Sequence, residues 1–228
     1  MKRILFVLLL TAMSFTAEAQ INELGVFVGG ANYIGDVGPT TYVAPDKLAL
    51  GILYKWNRSP RHSWRFGFNY GRIASDDADS DVSGRKQRGN TFKNTVKELS
   101  AGLEFNFFDF NLHDEGFKIT PYVFTGISYF WYDELYMDAD KEAKDYGNGS
   151  NLAIPMTVGI KAHIAKNLVL GVEASARYTF TDNLDGSNPS DNKYENLRFG
   201  NLDSNDWYVF TGVTLTYTFG VKPCYCSE

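Results

Sequence analysis

The sequence predicts an all-β chain, an eight-stranded antiparallel transmembrane β-barrel. Three observations carry this. Apolar and polar residues alternate with a period of two over runs much longer than the roughly 5–6 residues of a soluble strand. Long and short connections alternate along the chain, as short inner turns and long outer loops do in membrane barrels. Aromatics make up 15% of the residues, which suits a pleated surface. They gather near strand ends, at Tyr54, Trp56 and Trp64, at Tyr178 and Phe180, and at Trp207, Tyr217 and Phe219, as interfacial girdles require.

The strands follow in order. The first runs from Glu23 to Gly35. The second, Leu48 to Asn57, puts Leu48, Leu50, Ile52, Tyr54 and Trp56 on one face. The third, Ser63 to Ile73, sets Trp64, Phe66, Phe68 and Tyr70 against Arg65, Gly67, Asn69 and Gly71. The fourth, Val96 to Phe108, opposes Leu99, Ala101, Leu103, Phe105 and Phe107 to Glu98, Ser100, Gly102, Glu104 and Asn106. The fifth, Ile119 to Asp133, is aromatic on both faces, so its register stays open. The sixth spans Leu152 to Ile164, and the seventh starts at Leu168 after the turn Ala165-Lys166-Asn167. The eighth alternates from Trp207 to Phe219. Most of these segments exceed the roughly 9–11 residues that cross a membrane at a tilt.

The first residues read as a secretory signal peptide: Lys2 and Arg3, an apolar run from Ile4, then a small-x-small site at Ala17-Glu18-Ala19. No cysteine sits at the cleavage point, which argues against a lipoprotein. The expected division is therefore a signal peptide at 1–19, a barrel at 20–219 and a tail at 220–228. An even strand number returns the chain to its starting side. Both ends and the tail are then expected in the periplasm of an outer-membrane protein. The net charge of -5, with no basic patch carrying interleaved aromatics, argues against nucleic acid.

The face opposite the apolar one carries Lys55, Arg65, Glu98, Glu104, Lys161, Glu173 and Arg177. Eight strands leave an interior just wide enough for side chains, and buried charges need partners. These seven are expected to form an internal network that fills the barrel, with no conducting path.

Little else points to chemistry. His62, His113 and His163 fall near the short-turn end and read as solvated turn residues; none has a partner four residues away for a metal site. The outer rim, where a barrel enzyme would need its catalytic set, has no histidine. The acidic loops with Asp76, Asp77, Asp79 and Asp81, and with Asp182, Asp185 and Asp191, offer oxygens for calcium. They lack EF-hand spacing and read as solvated turns. "GVFVGGANYIG" does not match a dinucleotide fingerprint, and no helix follows it. No catalytic residue, cofactor or metal is therefore expected. Cys224 and Cys226, one residue apart, are poorly placed for an unstrained mutual disulfide. The readings are a tail pair closed or capped, half of a metal site, or a bond to a partner's cysteine.

Several blocks, among them "ELGVFVGGANYIGDVGPT", "YKWNRSPRHSWRF", "AGLEFNFFDFN", "RYTFTDNLDGSNP" and "NDWYVFTGVTLTYTFG", resemble the PorG-like outer-membrane barrels of the Bacteroidota. The likeness covers nearly all of Ile21 to Cys226. It implies a non-enzymatic component of the type IX secretion system, linked to a periplasmic ring of the PorK lipoprotein and PorN. On that reading the inner turns and the tail meet the ring, through Arg58, Arg61, His62, His113, Cys224 and Cys226. The rival readings are a small channel, a barrel enzyme, or an adhesin working through its outer loops.

Overall fold

Eight antiparallel strands hydrogen-bond in sequence order, and the last returns to the first. They are β1 (Ile21–Ile34), β2 (Lys47–Asn57), β3 (His62–Asp76), β4 (Thr91–Asn106), β5 (Lys118–Met137), β6 (Ala143–Ala165), β7 (Leu168–Thr179) and β8 (Trp207–Phe219). This is a computed structural model, and it describes residues 21–112 and 116–220. Closure leaves no sheet edge: β1 pairs with β8 from Asn22↔Phe219 to Ile34↔Trp207. A short helix, α1 (Ser83–Arg88), sits in the β3–β4 loop and ends at Gly89, whose left-handed backbone (φ 69°) suits glycine. No helix among the described residues is long and apolar enough to cross a membrane.

The faces divide by burial. Outward positions are exposed and apolar around the whole circumference, for example Val26, Ile52, Phe66, Leu103, Ile127, Val158, Val172 and Leu215. Inward positions are buried and largely polar. Water does not tolerate so wide an apolar band; hydrocarbon does, and a closed barrel is the sheet that satisfies every backbone group there. On β5 the register is now clear. Tyr122, Phe124, Phe130 and Tyr132 point inward, while Val123, Ile127, Tyr129 and Trp131 point outward. Both faces are aromatic because the lumen itself takes aromatic rings.

Several strands run beyond their predicted ends at the long-loop side. β3 reaches Asp76 and β4 starts at Thr91. The stretch 134–151, expected as a loop, is mostly the tip of the β5–β6 hairpin. Its pairing continues past a register shift at Glu134/Leu135 to Met137↔Ala143. The hairpin turns at Lys141 (φ 66°). Its outer part lies beyond the apolar band, where strands no longer need an apolar face, so period-two hydrophobicity fades while pairing persists.

Candidate functional site

The interior at the short-turn end is a network of paired charges. Glu104 lies at its centre with no exposed surface. Its Oε1 accepts from Lys55 Nζ at 2.8 Å and from Lys161 Nζ at 2.6 Å, and its Oε2 lies 3.5 Å from Arg65 Nη1. Arg65 holds Glu173 with two parallel bonds of 2.7 Å. Such a fork suits guanidinium and carboxylate. The Tyr122 hydroxyl also donates to Glu173, at 2.5 Å. The Tyr122 ring has room because residue 159 is glycine: a Cβ there would stand 2.6 Å from Tyr122 Cζ. Glu23 accepts from Asn57 Nδ2 at 2.9 Å and from Thr216 Oγ1 at 2.6 Å.

One level up, Arg177 binds Glu98 through Nε (2.9 Å) and Nη2 (3.1 Å), and the Tyr208 hydroxyl donates to Glu98 at 2.7 Å. All seven predicted lumen charges are therefore buried and ion-paired. With Glu23, four carboxylates face four cations across the network. The sum is neutral, the condition under which buried charges are tolerated.

Above the network the lumen turns aromatic. Phe27, Phe130, Tyr208 and Phe210 are buried and meet at ring distances of 5.3–6.4 Å. Phe210 fits beside Gly71, where a Cβ would approach its Cε1 to 2.5 Å. The other end is stoppered too. Phe110, from the β4–β5 turn, is buried beneath Lys161, whose Nζ stands 5.0 Å from the ring centre.

The long-loop end is closed by a cap of loops. Asp36, Asp182, Asp185 and Asp206 are all buried there. Their partners are mostly backbone amides. Asp185 accepts from Val37 N (3.2 Å) and Ser187 N (2.8 Å), Asp206 from Leu184 N (2.9 Å) and the Tyr33 hydroxyl, and Asp36 from Asn201 N (3.1 Å). The β1–β2 and β7–β8 loops are thereby tied together. Among the described residues no basic side chain forms an ion pair with these four. Burial pushes the Asp182 carboxyl up to about 7, helped by the charges of Asp185 and Asp36. Burial also raises Asp185 and Asp206. Asp77 differs. Burial would push its carboxyl up, but hydrogen bonds from Arg88 and the Gly38 and Asn90 amides outweigh that and hold it below its usual value.

These carboxylates correct the expectation of solvated loops: Asp77, Asp182 and Asp185 are structural, each buried under its own loop. Among the described residues no group of three acidic, histidine or cysteine side chains is arranged to hold a metal ion. His163 is likewise corrected. It is buried, edge-on to Phe110 at 6.4 Å, with Nε2 3.2 Å from the Lys166 carbonyl. Its inward register on β6 takes it out of water. His62 is exposed as expected, 5.2 Å from the Phe105 ring. Arg58 covers the Trp56 ring at 5.0 Å, and Arg61 pairs with Asp109 at 2.5 Å. Those three lie together at the short-turn end. His113, Cys224 and Cys226, with the predicted signal peptide and most of the tail, lie outside the described residues.

Sequence reasoning missed Glu23, Phe110, Asp36 and Asp206, and it took Asp182 and Asp185 for solvated turn residues. Glu23 was legible, since it shares the inward parity of Gly25 and Phe27; the others sit in turns and loops, where no period marks an inward side chain.

Solved structures with a similar strand arrangement include Ail, the attachment invasion locus protein of Yersinia pestis, crystallised with the heparin analogue sucrose octasulfate. It is 11% identical, with 88% of this chain and 99% of that one covered and a TM-score of 0.46. Neisserial surface protein A is 10% identical, over 88% and 96%, at 0.43. The N-terminal barrel domain of Pseudomonas aeruginosa OprF is 12% identical, over 90% and 100%, also at 0.43. A comparison with curated proteins finds no match. A family model described as a domain of unknown function, DUF6089, matches residues 2–228. The chain, with its closed barrel and side-chain-filled lumen, is a member of the DUF6089 family.

Proposed function

We propose that this barrel is a non-enzymatic outer-membrane component of the type IX secretion machinery, docking a periplasmic ring of the PorK and PorN type to the membrane. The observation that carries the reading is the filled lumen. Among the described residues, paired charges, an aromatic layer, a loop cap and the Phe110 stopper are buried at successive levels of the interior. Function then falls to the surfaces outside the membrane. The resemblance of the sequence blocks to PorG-like barrels points to the short-turn end, where Arg58, Arg61 and His62 are exposed.

In this reading the long loops face outward and the short turns face the periplasm. The turns offer a compact basic contact, and β8 ends on the same side at Phe219, so the tail with Cys224 and Cys226 is proposed to meet the ring there as well. The test is a pull-down of ring components from solubilised outer membranes. Three chains are compared: full length, Arg58→Glu/Arg61→Glu, and one ending at residue 221. Loss of the ring in either altered chain, with the barrel still folded, supports docking. Full retention in both overturns it. Ion conductance in planar bilayers, in place of silence, would favour a channel.

A further inference from the structure

The outer surface carries a feature that neither the lumen nor the turn end uses. Among outward-facing strand positions, basic residues collect on one sector. On β3 and β4 the register sets Tyr70 opposite Lys97, Arg72 opposite Thr95 and Ala74 opposite Lys93. Arg72 is therefore diagonal to both lysines on the same face, within reach of long side chains. All three are exposed, and none forms an ion pair among the described residues. Asp76 and Asp133 flank them: Asp76 is engaged in capping Ala78 N at 2.8 Å, and Asp133 attracts Lys97 without forming an ion pair with it, which leaves the three cations with a net excess of positive charge. Like charges held together on adjacent strands cost stability, and a bound anion would relieve that cost.

What lies on either side gives the anion a form. Toward the loops, Lys93 borders a cleft of mixed lining and about 330 Å³ between the β1–β2 and β3–β4 loops. Toward the membrane centre, directly below Arg72 and Lys97 on the same strands, is an apolar groove of about 470 Å³. Tyr54, Phe66, Phe68, Leu99, Ala101 and Tyr129 line it. Ala101 leaves it deep where neighbouring strand positions carry large side chains. Cations above and an apolar slot below match one molecule with a phosphate at one end and an acyl chain at the other.

We propose that Arg72, Lys97 and Lys93, with the groove beneath them, form a binding site for a phosphorylated lipid of the leaflet on the long-loop side. This rests on the reading above that the long loops face outward from an outer membrane. The phosphate bridges Arg72 and Lys97, and one acyl chain lies along β3 and β4 over Ala101. A basic side chain near an anionic lipid surface contributes about fivefold in affinity.

The test uses the purified full chain in detergent, with bisphosphorylated lipid A and its enzymatically dephosphorylated form as probes, read by native mass spectrometry. The wild type is expected to retain the phosphorylated lipid and release the other. Arg72→Gln/Lys97→Gln should bind about 25-fold more weakly, at about fivefold per charge. Ala101→Phe, which fills the groove and keeps every charge, should lose the lipid at least fivefold. A heat-modifiability shift on gels establishes that each variant is folded; Arg72→Lys should keep most of the binding and serves where the double variant fails to fold. Equal retention of both lipids, or wild-type binding by both Ala101→Phe and the charge variant, overturns the site. Displacement of the lipid by millimolar inorganic phosphate also overturns it, as the mark of a simple anion site. An epitope placed in residues 83–88 and probed on intact cells tests orientation by itself. If it is hidden, the outward-loop reading fails whatever the lipid measurements give.

Discussion

The two ends of the lumen bury acidic groups in opposite ways. At the short-turn end each carboxylate but Glu23 meets a cation, and both partners sit on strands fixed by the barrel ladder. At the long-loop end Asp36, Asp182, Asp185 and Asp206 meet amides of the loops and, for Asp206, the Tyr33 hydroxyl of β1. A buried charge paired to a charge is intolerant of losing its partner. A carboxyl held by neutral donors tolerates neutralisation but responds to pH. Stability and responsiveness are thus separated along one barrel axis.

The sharpest break of this contrast is Glu104→Ala. It strands Lys55 and Lys161 and part of the Arg65 charge in the interior, and should cost about 3–5 kcal/mol, measured by urea titration of folding into lipid vesicles. Asp206→Asn at the other end should cost far less. If the two losses are equal, the distinction fails. Next in size, Arg65→Met and Glu173→Leu should each destabilise strongly, while the double variant recovers most of the loss, since a buried pair and an apolar pair are nearly equivalent. A double variant as poor as the singles would show that Tyr122, left without Glu173, dominates. Tyr208→Phe removes one hydroxyl from Glu98 and should cost about 1–3 kcal/mol in the same titration.

The smallest effect concerns the cap. Asp182, Asp185 and Asp206 are raised, so the closed cap holds protons that freed loops would release. Its stability is greatest below about pH 4, near the ordinary carboxyl value. It falls as pH rises through about 7, where Asp182 ionises. Hydrogen exchange at the Val37, Leu184 and Ser187 amides, corrected for intrinsic rates, should show several-fold less protection at pH 8.5 than at pH 5.5. The triple Asp→Asn variant at 182, 185 and 206 should flatten the difference. An unchanged wild-type profile would place the cap outside pH control.

These two ends also mark what the sequence made legible. Lys55, Arg65, Glu98, Glu104, Lys161, Glu173 and Arg177 were readable because each sits on a strand whose opposite face is plainly apolar, so parity alone sends them inward. Parity failed on β5, where Phe124 and Phe130 face the lumen while Tyr129 and Trp131 face lipid. It has nothing to say about Asp185 or Phe110, which reach the interior from loops. Which carboxylate meets which cation was also beyond reach, because pairs such as Arg65–Glu173 and Arg177–Glu98 join strands that are not neighbours in the sheet.

The seam between β1 and β8 has a consequence for assembly. These strands lie at opposite ends of the described chain, yet they share a ladder from Asn22↔Phe219 to Ile34↔Trp207 and a bond from Thr216 to Glu23 at 2.6 Å inside it. Contacts so distant in sequence form late and slowly. Until they form, the growing sheet has two open edges and Glu23 lacks one of its two donors. Insertion into the bilayer should therefore end in one closing event, and shortening β8 by a few residues should stall the chain as an open, protease-sensitive sheet rather than yield a slightly smaller barrel.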